Sequence, residues 1–181
     1  MSKFTSHPRW PKTLSSAVIL FLGLTVFFRR SLHWFFLKRL LRARFGNDNW
    51  ITTKELADWL ANRSRPQPKL FDVRTMAEWQ VSRLRGAQQV NPAAEVKTVA
   101  NGLAKDALIV TYCSVGYRSG VMARRLREMG YTNVQNLEGS IFEWANQGRP
   151  LIRDGARVTR VHPYSPFWGR LLKREVQAPL C

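Results

Sequence analysis

One stretch limits the folds open to this chain more than any other: an apolar, branched run that ends on a cysteine and passes straight into a glycine-bearing loop. Residues 107–112, Ala-Leu-Ile-Val-Thr-Tyr, are too short and too β-branched to favour a helix and read as a buried strand. Residues 121–129, Val-Met-Ala-Arg-Arg-Leu-Arg-Glu-Met, carry apolar side chains at helical spacing, with Gly130 as the stop. Between them lies Cys113-Ser114-Val115-Gly116-Tyr117-Arg118-Ser119. The cysteine therefore falls where a strand hands over to a helix. That geometry aims loop amides and a helix N-terminus at whatever the sulfur carries.

The setting has a chemical consequence. A free thiol titrates near ~8.5, and a helix N-terminus beside an arginine lowers this by about one to several units. Arg118 stays charged and offers a planar fork of donors to an oxyanion. Gly116 lets the backbone curl so that successive N–H groups face inward. The parts describe an anion cradle with Cys113 as the nucleophile. Ser114, Val115, Gly116, Tyr117, Arg118 and Ser119 are the residues placed to meet a substrate. A cysteine after a buried strand is also ordinary core material, and only the Gly-x-Arg loop separates the two readings.

The rest of the chain alternates strand and helix signals. Residues 50–51 read as a short strand, and Thr52-Thr53-Lys54-Glu55 fits a capping box for a helix through about residue 62. Strands follow at 69–73, 87–90 and 134–136. Helices are expected at 76–82, 92–101 and 140–147. Such alternation implies a parallel sheet covered on both faces, an α/β domain. The turn-rich Gly46-Asn47-Asp48-Asn49 sets a domain boundary. The expected organisation is a basic N-terminal segment at 1–46, one domain at 47–150 and an irregular proline- and aromatic-rich tail at 151–181.

With these blocks in order, the chain resembles the rhodanese family. The resemblance runs through Phe71-Asp72-Val73-Arg74, Arg85-Gly86-Ala87, the Cys-x-x-Gly-x-Arg loop and residues 136–144, Asn-Leu-Glu-Gly-Ser-Ile-Phe-Glu-Trp. It implies a rhodanese-like sulfurtransferase in which Cys113 becomes a persulfide and Arg118 with the loop amides holds the donor's oxyanion. It also implies a small-molecule sulfur donor such as thiosulfate, a thiol, cyanide or protein acceptor, and no metal or organic cofactor. Asp72 and Arg74 match the family's strand-end pair in a supporting role, and Glu78 matches an acidic position. Where many relatives carry Gly-His-Ile, this chain has Ser82-Arg83-Leu84, and Arg83 and Arg85 add charge that favours an anionic donor. Phosphatases and arsenate reductases of related fold resemble Cys-x5-Arg, whereas here four residues separate Cys113 from Arg118. The shorter ring suits sulfur over phosphate. A non-catalytic binding module is the rival of a different class.

Charge is unevenly placed. The net charge is +17, yet no acidic residue precedes Asp48, while nine basic ones do. This segment also holds the longest apolar run, residues 14–28. Fifteen helical residues reach about 22 Å against a ~30 Å hydrocarbon core, and residues 10–13 close most of the gap. A transmembrane anchor on an anionic membrane is the favoured reading, with 31–45 as a helix lying at the headgroups. The positive-inside rule then keeps the domain cytoplasmic. A soluble protein and an organellar one after removal of a targeting peptide are the alternatives. No nucleic-acid motif accompanies the charge. His7, His33 and His162 show no metal-ligand spacing. Two cysteines, Cys113 and Cys181, do not make a disulfide framework.

Overall fold

Leu70 and Phe71 are neighbours in sequence and face opposite sides of one sheet. Leu70 packs with Val110 and Leu137 on one side, and Phe71 with Ile109 and Val134 on the other. Both faces are buried, as strands that carry near-continuous apolar runs require. A computed structural model describes residues 16–180 of the chain, with side chains from residue 30 onward. Its main sheet joins β1 (Trp50–Ile51), β2 (Lys69–Asp72), β3 (Ala87–Gln89), β4 (Ile109–Tyr112) and β5 (Val134–Leu137). All pairs are parallel, in the order β1-β5-β4-β2-β3.

Helices cover the two faces. Leu56 of α2 (Thr53–Ala61) and Phe142 of α6 (Ser140–Asn146) fill the side of Leu70. Val96 of α4 (Val96–Val99) and Met122 and Leu126 of α5 (Tyr117–Glu128) fill the side of Phe71. The capping box at Thr52 and Glu55 forms, and a second one opens α3 (Met76–Val81) through Thr75 and Glu78. The helix expected over 92–101 shrinks to a single turn. The Asn91 side chain accepts the Ala93 amide and holds the chain in a local turn there, a contest that asparagine often wins against helix.

The N-terminal helix differs most from expectation. α1 (Ser16–Phe45) runs unbroken for 30 residues, through Arg29-Arg30. Residues 1–15, the start of the apolar run among them, lie outside the described residues. Among those described, no helix is long and apolar enough to cross a membrane. Among the described residues the expected transmembrane span is therefore not supported. Nor do residues 31–45 stand apart from the domain. Leu41 is buried against it, Lys38 pairs with Glu143 at 2.8 Å, and Arg42 pairs with Glu138 at 2.8 Å. Such partly exposed pairs are worth roughly 0–1 kcal/mol each, so Leu41, at about 1.5–3 kcal/mol, does more to seat the helix.

Gly120 of α5 lets α1 come close. A Cβ there would stand 2.7 Å from two atoms of the Phe45 ring. Replacing a helical glycine with alanine normally gains about 1 kcal/mol, whereas overpacking costs about 1–3 kcal/mol. Gly120→Ala is therefore expected to lower the unfolding temperature and to speed proteolysis of α1. A rise in that temperature with no change in proteolysis would show that Phe45 does not rest on Gly120.

The tail is more ordered than its prolines suggest. β6 (Leu151–Arg153) and β7 (Ala156–Val158) form an antiparallel hairpin over Asp154-Gly155, both at positive φ. Asp-Gly is the turn such a hairpin prefers. Ser165 caps α7 (Pro166–Gly169), with Pro166 in its first turn. Val161, Leu171 and Leu172 enter the core, and the Asn146 side chain bonds the backbone of Leu171 and Lys173, both at 2.8 Å. Cys181 lies outside the described residues.

Candidate active site

Cys113 follows the last residue of β4, which lies between β2 and β5 in the sheet. Ligands of open parallel sheets bind beyond the carboxyl ends of the strands. α5 begins at Tyr117, four residues ahead of its apolar periodicity, so Arg118 and Ser119 sit in its first turn. Gly116 is its N-cap, at φ +115°. That conformation is strained for any other residue.

The loop's carbonyls are tied outward. Ile141 and Phe142 donate their amides to the Cys113 and Ser114 carbonyls at 3.2 and 3.1 Å. The Asn136 side chain donates to the Gly116 carbonyl at 2.9 Å. With its acceptors engaged on β5 and α6, the loop turns donors inward. Gly116 N–H donates to Cys113 Sγ at 3.1 Å, and Ser119 Oγ donates to it at 3.5 Å. Burial pushes the Cys113 thiol up, but the Arg118 charge, Ser119 and the Gly116 amide outweigh it. The net shift is downward from the ordinary thiol value.

Arg118 is placed differently from the expected free fork. Its two terminal nitrogens each donate to Glu78 at 2.8 Å, and one also donates to Ser114 Oγ at 2.9 Å. Ser114 Oγ donates in turn to Glu78 at 2.6 Å. Glu78, the acidic position of the resemblance, is fully buried. Burial raises its pKa, but the bonds from Arg118 and Ser114 win and hold it at about 2. Arg118 therefore acts on the sulfur by charge and is fixed in place by a carboxylate 40 positions away. The Tyr164 ring stacks over its other side, 4.8 Å from the guanidinium.

Asp72 and Arg74 form a wholly buried pair at 2.6 Å. Arg74 also donates to the carbonyls of Glu78 and Ser82, at 3.3 and 2.6 Å. The pair thus braces α3, which carries Glu78, and makes no contact with Cys113. Arg83 pairs with Asp154 across the hairpin, and neither Arg83 nor Arg85 lines the space above the sulfur. The anion-favouring role expected of that pair is not met.

That space is a cleft of about 340 Å³. Cys113 and Ser114 form its floor, and Val115, Tyr117 and Arg118 its near side. Leu37, Leu40 and Leu41 of α1 and Tyr164 and Trp168 of the tail supply the rest of its walls. Sequence reasoning missed both walls. The stripe that seats α1, Trp34, Leu37 and Leu41 at helical spacing, is diluted by the exposed Leu32, Phe35, Phe36 and Leu40.

Fold and site together define a class, an open parallel α/β domain that holds a thiolate-stabilising loop beyond its central strands. The chain belongs to the rhodanese-like domain family, whose model matches residues 52–147. It is 33% identical over 104 residues to a sulfurtransferase of Allochromatium vinosum, covering 58% of this chain and 94% of that protein. It is 34% identical over 111 residues to the probable adenylyltransferase/sulfurtransferase MoeZ of Mycobacterium tuberculosis, covering 60% of this chain and 27% of that one. The chain thus spans about a quarter of the length of this second relative. The crystal structure of a rhodanese-like domain protein from Staphylococcus aureus superimposes with a TM-score of 0.50 at 26% identity, over 59% of this chain and 98% of that one. Sulfurtransferases among the relatives support sulfur transfer in general terms. All of α1 and the tail lie outside the residues that the family model matches.

Proposed function

We propose that this protein is a sulfurtransferase that carries sulfane sulfur on Cys113. The observation that supports this most is the convergence of the Gly116 amide, the Ser119 hydroxyl and the Arg118 charge on one sulfur atom. The Cys113 thiolate attacks the outer sulfur of a donor such as thiosulfate. A Cys113 Sγ–S bond forms, the donor's S–S bond breaks, and sulfite leaves with the electron pair. A thiol, cyanide or a protein thiol then takes the outer sulfur and returns the thiolate, which gives ping-pong kinetics. Loop amides and Arg118 stabilise the negative charge at each stage. Val115 and Tyr117 shape the approach, while Asp72 and Arg74 support it through α3.

Intact-mass measurement tests this directly. Thiosulfate is expected to add about 32 Da to the native chain, and cyanide to remove it as thiocyanate. Because the thiolate is the reactive form, loading falls as pH drops through the Cys113 pKa. That pKa lies below its ordinary value, so half-maximal loading is expected at a lower pH than an unperturbed thiol would show. A chain that gains no mass with any sulfane donor is a binding module.

We further propose that the basic N-terminal segment holds the domain on the cytoplasmic side of an anionic membrane. The acid-free stretch before Asp48 and the exposed Phe35 and Phe36 on α1 support it. The full chain is expected to float with anionic vesicles and to remain behind with zwitterionic ones. Equal behaviour with both counts against it.

A further inference from the structure

The stretch that the family model matches, residues 52–147, includes neither of the walls described above. Here α1 and the tail turn a shallow loop into a cleft. Among the described residues that line it, Arg118 is the single charged one, and its two terminal nitrogens are already bonded to Glu78. Tyr164 shields the same guanidinium from above. Leu37, Leu40 and Leu41 of α1 and Tyr164 and Trp168 of the tail make up the rest of its lining, with Val115 and Tyr117. A hydrophilic acceptor finds no charged partner on those walls, whereas an alkyl or aryl group finds several apolar ones.

We infer that the sulfur acceptor of this site is a small apolar thiol whose hydrocarbon part lies between α1 and the tail. The inference rests on the persulfide reading given above. The acceptor loses its S–H proton to solvent, and its thiolate attacks the outer sulfur of the Cys113 persulfide. The new S–S bond forms as the Cys113 Sγ–S bond breaks, and Cys113 leaves as the thiolate that Gly116, Ser119 and Arg118 already favour. The product is the acceptor's own persulfide, with no net oxidant or reductant consumed.

The test uses the full chain, loaded with thiosulfate and then offered straight-chain thiols from ethanethiol to hexanethiol. These share one reacting group, so differences in rate report the walls and not the sulfur chemistry. Discharge is expected to quicken about two- to fourfold per added methylene, fourfold being the ~0.8 kcal/mol of a fully buried one. A sulfonate-bearing thiol of similar size is expected to react at least tenfold more slowly than hexanethiol. Leu40→Ser, at a position 66% exposed and so tolerant of change, is expected to flatten the chain-length series. Tyr164→Ser, 47% exposed, is expected to do the same from the tail. Equal discharge by ethanethiol, hexanethiol and the sulfonate, from a chain that loads normally, overturns the inference and leaves the persulfide reading intact. A chain that does not load overturns both.

Discussion

Cys113→Ser is expected to abolish sulfur loading, lowering thiosulfate-dependent thiocyanate formation at least ~1,000-fold, as removal of a covalent nucleophile does elsewhere. A serine hydroxyl stays protonated at neutral pH and lacks the polarisable sulfur that accepts a sulfane atom. The change is conservative for the fold. The serine oxygen still accepts the Gly116 amide and the Ser119 hydroxyl that now reach Sγ, so stability is expected to move by only about 1 kcal/mol. Labelled thiosulfate makes the comparison clean, since it follows the outer sulfur itself. If the serine variant retains a tenth of native transfer, some other atom carries the sulfur.

The second large effect is expected at Glu78. Glu78→Gln removes one member of a buried ion pair and leaves the Arg118 charge uncompensated, which costs about 3–5 kcal/mol when both partners are fully buried. Arg118 is 23% exposed, so water recovers part of this and about 2–4 kcal/mol is expected. The carboxyl is held at about 2 against an ordinary value of 4.5. A depressed carboxylate contributes its stability above 4.5 and loses it as pH falls from there towards 2. The contribution corresponds to about 3 kcal/mol. Urea unfolding should therefore separate the native chain from the Glu78→Gln variant widely at neutral pH and bring the two together as pH approaches about 2. A gap that stays constant over that range means that Glu78 is not ionised against Arg118.

What can be read from the sequence is local. Residues 107–119 disclose the strand, the cysteine and the loop because each depends on neighbours a few positions away. Thr52 and Glu55 announce a helix start for the same reason. Glu78 looks like a helix-face acid because its cap partner, Thr75, is three residues distant while Arg118 is 40. Nothing in periodicity signals a pairing of that range. The tail reads as irregular because Pro163 and Pro166 interrupt any regular pattern, yet Asp154-Gly155 is a hairpin signal in plain view. The N-terminal segment suggests a bilayer because a long apolar run stands there among basic residues and no acidic ones. Which of its apolar residues face inward is decided by Gly116 and Gly120, whose missing side chains make room for Leu41 and Phe45.

The two walls of the cleft have a practical corollary for anyone who trims this chain to the stretch its relatives share. A fragment of residues 52–147 keeps the hydrogen-bond donors to the sulfur but sheds five of the ten residues around the opening, Leu37, Leu40, Leu41, Tyr164 and Trp168. It also forfeits Val161, Leu171 and Leu172 from the interior. If the proposed acceptor is right, reactivity comes with the shared domain and discrimination is added at the two ends of the polypeptide.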